Sequence, residues 1–283
     1  MARKSKPIVA MIYDFDGTLS PGNMQEFGFI QSVQKNKDEF WEKSNQLSEE
    51  NDADSILCYM YSMIKDAAYY DVKSTKESFA CFGKKVELFD GVKEWFKLIN
   101  EYGKTKDLCI KHYIISSGLK EMIEGTPIAK EFECIYASSF LYDNNGVAVW
   151  PAVAVNYTTK TQFLFKINKG IKEISDNYKI NKFVPENQRP IPFERMIYFG
   201  DGQTDIPCMK MVKAHGGHSI AIYDKPQKKD TALQLIKDDR VNFVCPADYT
   251  EGKELHNVVT TIVDKIKADF DFNVLLDKHR SKK

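Results

Sequence analysis

Two pairs of aspartates stand directly behind apolar segments of the sequence. Asp14 and Asp16 follow the apolar run 8–13, and Asp201 and Asp205 follow a second apolar run that ends in glycine. Two carboxylates this close repel each other unless a cation or a shared proton relieves them. A hard divalent metal such as Mg²⁺, which takes one or two carboxylates together with substrate phosphate oxygens, suits such a pair. The alternative for the first pair is a strand that simply ends in an Asp-Gly turn.

Hydroxyl groups stand in a comparable place behind a third apolar run. Ser116 and Ser117 follow the run 109–115 and precede Gly118, where a helix is predicted to begin. Hydroxyls and free backbone N–H groups between a strand end and a helix N-terminus can form a cradle for phosphate. The alternative is a serine that caps the helix without any ligand.

A lysine at the head of a predicted helix is electrostatically unusual. Lys160 opens a helical pattern that continues through Phe163 and Ile174. The helix dipole favours anions at this end, so a cation there needs another reason. A single lysine is most often a solvated surface residue, and Lys160 therefore matters only if the fold directs it at the site.

The apolar runs also predict the elements that must hold these side chains. The segments 8–13, 109–115 and 195–199 are continuous and rich in β-branched or aromatic residues, as buried strands are. In an open α/β sheet, ligands bind outside the carboxyl ends of the strands, where the aspartates and serines stand. Further strands are predicted at 133–137, 219–222 and 241–244, a hairpin at 140–149, and a closing helix at 257–270.

A helical segment interrupts this alternation of strands and helices. Between residues 23 and 86 the apolar side chains recur only at helical spacing. Asp38 and Asp52 are predicted as N-caps, and Ser74-Thr75 is predicted to open another helix. The many aromatic and methionine side chains of this segment predict the core of a small helical bundle, and some of them could also roof a binding site.

Composition excludes several classes of protein. The 283 residues contain 40 Lys and Arg against 40 Asp and Glu, so no overall field favours nucleic acid or an anionic membrane. The six cysteines are scattered without a C-x-x-C pair, which favours reduced thiols and a cytoplasmic setting. The basic start at 1–6 is not followed by a signal-peptide pattern, no stretch is long enough to span a membrane, and 278–283 is predicted to be a solvated, frayed tail.

Three histidines receive structural interpretations. His112 lies inside the second apolar run and is predicted to be a packed core residue. His215 and His218 could form a metal pair, but loop histidines of this kind are common, and we interpret them as such.

Taken in order, the candidate residues resemble the four motifs of the haloacid dehalogenase-like superfamily. The motifs are matched by Asp14-Phe15-Asp16-Gly17-Thr18, Ile115-Ser116-Ser117-Gly118, Lys160 and Gly200-Asp201-Gly202-Gln203-Thr204-Asp205. The segments 88–92, 137–141 and 205–209 are similar to those of the phosphoserine phosphatase-like branch. This resemblance implies a doubly wound, mostly parallel sheet (a Rossmann-like core) formed by 1–20 and 87–283, with a helical cap at 21–86.

The resemblance also implies a role for each acidic residue. Asp14 would attack phosphorus and form an aspartyl-phosphate, and Asp16 would protonate the leaving alcohol and then activate water. The Asp14 carboxylate, the Asp16 backbone carbonyl and Asp201 would hold Mg²⁺. Asp205 and Thr204 would lie behind these ligands, with Asp205 orienting a metal-bound water or the lysine.

The remaining motif residues would bind the phosphate. Ser116 and Ser117, with nearby amides, would contact its oxygens, and Lys160 would neutralise charge between Asp14 and the phosphate. The implied activity is a Mg²⁺-dependent phosphatase acting on a small organic phosphomonoester. Dehalogenation is disfavoured because dehalogenases need neither a metal nor an acid at the position of Asp16. A phosphotransferase or phosphomutase with the same site is the alternative, and a non-catalytic phosphate-binding protein is a third.

Two departures from the branch concern the substrate. Phosphoserine phosphatases carry a glutamate where this chain has Asn23, and a serine where it has Gly17, which argues against phosphoserine. We expect the helical cap to select the substrate instead. The candidates for the roof of the pocket are Met24, Phe27, Tyr59 and Tyr61. The sequence does not indicate an oligomeric state.

Overall fold

A seven-stranded sheet forms the centre of the computed structural model, which describes residues 6–281. The strands are β1 (Ile8–Tyr13), β2 (Cys109–Leu119), β3 (Phe132–Tyr142), β4 (Ala148–Val153), β5 (Met196–Gly200), β6 (His218–Tyr223) and β7 (Phe243–Pro246). Their order in the sheet is β4-β3-β2-β1-β5-β6-β7, and every pairing is parallel except that of β3 with β4. The predicted α/β class with a mostly parallel sheet is confirmed.

Helices cover both faces of this sheet. Between β1 and β2 lie α1 (Phe29–Ser32), α2 (Lys37–Glu50), α3 (Ser55–Tyr69), α4 (Lys76–Gly83) and α5 (Val92–Thr105). The later helices are α6 (Lys120–Gly125), α7 (Thr159–Lys169), α8 (Asn177–Asn181), α9 (Ile206–Ala214), α10 (Pro226–Lys237) and α11 (Glu254–Arg280). In the part of the chain that the structure describes, no helix is both long and apolar enough to cross a membrane.

The alternation of side chains along β1 produces two separate cores. Tyr13 points to the face covered by α5, α11 and the helices α1–α4, and Ile12 points to the face covered by α7 and α9. Both residues are fully buried. Because both faces of β1 are covered, its sequence is a continuous apolar run rather than an alternating one.

The central position of β1 brings three strand ends side by side. Tyr13 is in register with Ile114 of β2 on one side and with Phe199 of β5 on the other. The candidate catalytic and binding residues Asp14, Ser116 and Asp201 follow these three positions along the chain. The sheet therefore collects the first, second and fourth motifs at a single edge.

A chain of buried hydrogen bonds lies within the first core. Trp95 Nε1 donates to the Tyr13 hydroxyl at 2.9 Å, and this hydroxyl lies 3.0 Å from His112 Nδ1. Because the tyrosine has one proton to give, it donates to Nδ1, and His112 Nε2 then donates to Asn100 Oδ1 at 3.2 Å. His112 is only 2% exposed, so its prediction as a packed core residue is confirmed.

Several predicted boundaries are wrong. The closing helix α11 begins at Glu254 and runs to Arg280, so residues 278–280 of the predicted frayed tail are helical. The last strand begins at Phe243 rather than at 241. Helices α8 and α10 were not predicted. Residues 1–5, most of the basic start, and 282–283 lie outside the described residues.

Two of the predicted helix caps are displaced by two residues each. The N-cap of α2 is Asn36 rather than Asp38, and that of α3 is Asp54 rather than Asp52. Asp52 has a φ of 48°, a left-handed conformation that does not open a helix. The third prediction is confirmed, since Thr75 caps α4 in a capping box with Ser78.

Candidate active site

The first two aspartates lie where β1 ends, held by the neighbouring strand and by a tight turn. The Asp14 amide donates to the carbonyl of Phe199 at 2.9 Å, and the Gly17 amide donates to that of Ser20 at 2.8 Å. Asp16 Oδ1 accepts a hydrogen bond from the backbone amide of Met24 at 2.9 Å. These backbone contacts fix both carboxylates relative to the sheet.

Gly17 makes room for the aspartate that arrives from β5. It has a φ of 75°, and a Cβ atom added there would lie 2.1 Å from Asp201 Oδ2. Any larger residue would therefore collide with this carboxylate. Glycine at this position, in place of the serine of the phosphoserine phosphatase-like branch, leaves the space in which the Asp201 carboxylate lies.

The side chain of Lys160 reaches Asp14 from the face of the sheet that α7 covers. The side chain is fully buried, and its Nζ lies 3.1 Å from Asp14 Oδ1 and 2.7 Å from Asp205 Oδ1. It also donates to Thr204 Oγ1 at 3.2 Å. Burial alone would lower the pKa of this lysine, but the carboxylates of Asp14 and Asp205 outweigh burial and raise its pKa above the ordinary value. Lys160 is therefore a positively charged residue at the centre of the aspartate cluster.

Asp205 has its oxygens engaged by other residues. Besides Lys160, its Oδ1 accepts the Tyr198 hydroxyl at 2.7 Å, and its Oδ2 accepts the Gly202 amide at 3.3 Å. Asp205 is fully buried. Such a carboxylate holds its neighbours in place and has little capacity left to bind a ligand.

Three carboxylates lie close enough to share a cation. One oxygen from each of Asp14, Asp201 and Asp205 lies within 4.8 Å of the other two. Burial and, after it, the charge of Asp205 raise the pKa of Asp14 to about 6. Burial and then Asp14 raise the pKa of Asp201 to about 8. A divalent cation held by Asp14 and Asp201 would relieve this repulsion, and two carboxylates suit Mg²⁺, while Asp205 stays bonded to Lys160 and Tyr198.

The serines near the C-terminal end of β2 line the same edge of the sheet. Ser116 Oγ accepts a hydrogen bond from the Gly118 amide at 3.0 Å. Ser117 Oγ is buried and has no hydrogen-bond partner among residues 6–281. A Cβ atom on Gly118 would come within 2.9 Å of Asp16 Oδ2, so glycine permits the close approach of segment 116–118 to the first motif.

A cleft of about 580 Å³ opens above these residues, between the strand ends and the helices α2 and α3. From the α/β region it is lined by, among others, Asp14, Asp16, Ser116, Ser117, Asp201 and Thr204. From the helical region it is lined by Gln25, Glu26, Lys37, Trp41, Ile56 and Tyr59. The predicted residues Asp14, Asp16, Ser116, Ser117, Asp201 and Thr204 therefore line one cleft, and Lys160 contacts Asp14 from outside this lining.

The four residues predicted for the roof of the pocket are placed differently from one another. Tyr59 lines the cleft, and its hydroxyl donates to the Ser117 carbonyl at 2.7 Å. Met24 is buried behind Gly118, and Phe27 does not belong to the cleft lining. Tyr61 is 46% exposed and faces a separate apolar groove with Trp150. Of the four, only Tyr59 lies at the cleft.

Sequence reasoning missed several residues that line the cleft. Gln25 is 1% exposed, and its Oε1 has no hydrogen-bond partner in the described part of the chain. Asp224 follows β6 as Asp14 follows β1, a signal that was available in the sequence. Lys228 Nζ lies 3.0 Å from Asp224 Oδ1 and 3.9 Å from Asp201 Oδ2. Gln25 and Lys228 carry no such signal in the sequence, because only the fold brings them to the cleft.

Comparisons with known proteins agree with this geometry. Residues 11–210 match the model of the haloacid dehalogenase-like hydrolase family. A protein from Borreliella burgdorferi, described as uncharacterized, is 30% identical over 279 residues, covering 88% of this chain and 94% of its own.

Solved structures of similar fold share little sequence with the chain. A haloacid dehalogenase family hydrolase from Salmonella enterica has a TM-score of 0.56 at 16% identity, covering 91% of this chain and 72% of its own. A substrate-bound phosphoserine phosphatase has a TM-score of 0.53 at 16% identity, with coverages of 92% and 99%. A probable phosphoserine phosphatase from Vibrio cholerae has a TM-score of 0.56 at 13% identity, with coverages of 94% and 67%.

Proposed function

Because the chain belongs to the haloacid dehalogenase-like hydrolase family, we propose that it is a Mg²⁺-dependent phosphatase of small organic phosphomonoesters. The observation that carries this proposal is the contact of Lys160 with Asp14 at the bottom of a cleft that Asp16 and Asp201 also line. The proposed mechanism uses a nucleophile, an acid, a buried cation and a metal carboxylate, and the residues proposed for these four roles lie together.

Asp14 is the proposed nucleophile. Its carboxylate would attack phosphorus and displace the alcohol, leaving an aspartyl-phosphate that water later hydrolyses. The ammonium group of Lys160, 3.1 Å away, would keep Asp14 ionised and offset the charge of the incoming phosphate. The bond to Asp205 holds the lysine in this position throughout.

Asp16 is the proposed acid and base. Burial, and then the charge of Asp14, raise its pKa well above the ordinary value for an aspartate. A carboxyl group with a raised pKa can keep a proton near neutral pH and deliver it to the leaving oxygen. The resulting carboxylate would then take a proton from the water that attacks the intermediate. The Met24 amide holds Oδ1, which leaves Oδ2 for this transfer.

The phosphate oxygens would be bound by the C-terminal end of β2. The unpartnered hydroxyl of Ser117 and the hydroxyl of Ser116 are its polar side chains at the cleft. Asp14, Asp201 and the backbone carbonyl of Asp16 would hold Mg²⁺. When bound, the metal would supply positive charge beside the phosphate. We further propose that residues 21–86 act as the cap that selects the substrate.

The proposal is tested by measuring phosphate release from a panel of phosphorylated metabolites and from p-nitrophenyl phosphate. We expect release with Mg²⁺, none after chelation, and recovery when Mg²⁺ is restored. A parallel assay for halide release from 2-haloacids should be negative. Adding a large excess of a simple alcohol separates hydrolysis from transfer, since a transferase would give a new ester. If the protein released phosphate from none of the compounds tested, the proposal would be refuted.

A further inference from the structure

Helix α3 contacts two segments that hold candidate phosphate-binding groups, the end of β2 and the start of α7. At its N-terminus, Asp54 Oδ2 accepts a hydrogen bond from Asn156 Nδ2, in the loop before α7. About one and a half turns further on, the Tyr59 hydroxyl donates to the carbonyl of Ser117, near the C-terminal end of β2. Helix α3 thus bridges the end of β2, which carries the second motif, and the segment that leads into α7, the helix of Lys160.

Asn156 makes several hydrogen bonds with the first turn of α7, the helix that carries Lys160. Its carbonyl accepts the backbone amide of Lys160 at 2.8 Å, and its own amide donates to Thr159 Oγ1 at 2.8 Å. The Thr159 hydroxyl in turn lies 3.0 Å from Asn156 Oδ1. Any displacement of Asn156 is therefore passed directly to the first turn of α7.

The two contacts on α3 cannot be broken independently by a movement of the whole helix. Asp54 and Tyr59 are about 7.5 Å apart along a rigid helix axis, because each residue advances about 1.5 Å. The same Asp54 also caps α3, since its Oδ1 accepts the amides of Ile56 and Leu57. If α3 lifted away from the cleft, it would lose its contacts with Asn156 and Ser117 at the same time.

We propose that Asp54 and Asn156 are positioning residues that link the seating of α3 over the cleft to the placement of Lys160. The catalytic part of this inference rests on the proposed function. Lys160 Nζ sits between two carboxylates at 3.1 and 2.7 Å, so a small shift of α7 changes both distances. Errors of about 1 Å in such a group can slow a reaction about a hundredfold.

The variant Asp54→Ser tests this link without removing the helix cap. Serine is a good N-cap residue, but its single short oxygen cannot also reach Asn156. With p-nitrophenyl phosphate and Mg²⁺, we expect kcat to fall about tenfold while KM changes little. Asn156→Ala should do the same. The double variant should be no slower than the slower single variant, because both remove one interaction.

A matched control is available in the neighbouring helix. Asn36 is the N-cap of α2, and its side chain accepts the amide of Glu39 within that helix. Asn36→Ser makes the same kind of change without touching the loop before α7. We expect kcat close to that of the wild type. Equal losses in Asn36→Ser and Asp54→Ser would overturn the proposal, because helix capping alone would then explain both.

Hydrogen exchange tests the link without any turnover. In the absence of substrate, the amides of 156–161 should exchange faster in Asp54→Ser than in the wild type or Asn36→Ser. Unchanged exchange in this segment would overturn the proposal. If the wild-type protein released no phosphate, the proposed function would fail, whereas the exchange result would still decide whether α3 positions the start of α7.

Discussion

The strand ends and the helices above them supply side chains to one cleft by different physical means. Asp14 and Asp201 follow strands whose backbones are bonded into the centre of the sheet. Trp41 and Tyr59 reach the cleft from helices that meet the sheet through side-chain contacts. A shift of the backbone at these strand ends would therefore disturb the sheet, whereas a shift of the helices over the cleft need not. We expect the first region to fix the chemistry and the second to fix the choice of substrate.

The same difference separates two helices within the predicted cap. Helix α4 lies directly against α6, where a Cβ atom on Gly83 would come within 1.9 Å of the Met122 carbonyl. A Cβ atom on Gly125 would meet the Ala80 carbonyl at 2.0 Å. Such close backbone packing leaves no room for sliding. If part of the cap moves over the cleft, we expect α3 to move and α4 to remain with the sheet.

The largest effect should come from the nucleophile at the first strand end. Asp14→Asn keeps the size of the side chain but replaces a carboxylate by an amide, which is a poor nucleophile. We expect turnover of every substrate to fall by at least about a thousandfold. Phosphate release gives the rate, and thermal unfolding checks that the fold survives. Retained activity in Asp14→Asn would exclude the aspartyl-phosphate mechanism.

A large effect is also expected where two strand ends nearly touch. Gly17→Ala would place a Cβ atom 2.1 Å from Asp201 Oδ2 and push this carboxylate away. We expect about a hundredfold loss of kcat, together with weaker Mg²⁺ binding in calorimetry.

Gly146→Ala is the control for this substitution, because Gly146 has the same φ of 75° and nothing in the described structure within 4 Å of an added Cβ. It should cost only the strain of a left-handed alanine, about 1 kcal/mol. Equal behaviour of the two variants would mean that backbone strain, rather than Asp201, makes glycine necessary at position 17.

The sequence predicts the strand-end region well because its signals are local. A continuous apolar run predicts a buried strand, and the polar residue that follows marks its carboxyl end. The parallel sheet then gathers these ends automatically, as it does for Asp14, Ser116 and Asp201. Lys160 is different, since only the packing of α7 against the sheet brings its side chain to Asp14.

The helical region is harder to predict because several helices can present the same aromatic residues to different surroundings. Tyr59 and Tyr61 stand two positions apart on α3 and therefore on different faces, one in the cleft and one outside it. Trp41 has helical spacing typical of a bundle core, yet it lines the cleft. Gln25 carries no motif at all. Their positions depend on how the helices pack, which no short pattern records.

A moderate and selective effect is expected in the helical region. Trp41 lines the cleft, packs edge-to-face on Tyr59 with ring centres 5.8 Å apart, and donates to Glu26 Oε1 at 3.0 Å. Trp41→Ala should change kcat/KM about tenfold for the preferred substrates of the panel. Hydrolysis of p-nitrophenyl phosphate should change less, because that molecule is small.

The exposed tryptophan of β4 provides the control for this selectivity. Trp150 is 65% exposed and lies outside the cleft, so Trp150→Ala should leave all rates unchanged. The comparison between the two regions would fail if Trp41→Ala slowed every substrate, including p-nitrophenyl phosphate, by one common factor. The helices would then serve the chemistry in the same way as the strand ends.

The smallest effect concerns stability and arises behind the first strand. Burial lowers the pKa of His112 to about 3, whereas the unfolded chain returns it to an ordinary value of about 6.5. Below about pH 6.5, His112 therefore binds a proton in the unfolded state but not in the folded state. The free energy of unfolding falls as the pH drops through this range. The loss continues until the pH reaches the folded pKa. Between pH 7 and pH 6, His112 should contribute a loss of roughly 0.7 kcal/mol.

His112→Gln isolates this contribution, because glutamine can donate and accept hydrogen bonds but does not titrate. Urea unfolding at pH 7 and pH 6 should show a smaller loss in the variant than in the wild type. The lowered pKa of His218 and the raised pKa of Asp201 are present in both proteins, so they cancel in the difference. Equal losses would mean that His112 is protonated in the fold. The assignment of a neutral His112 that accepts the hydrogen bond of Tyr13 would then be wrong.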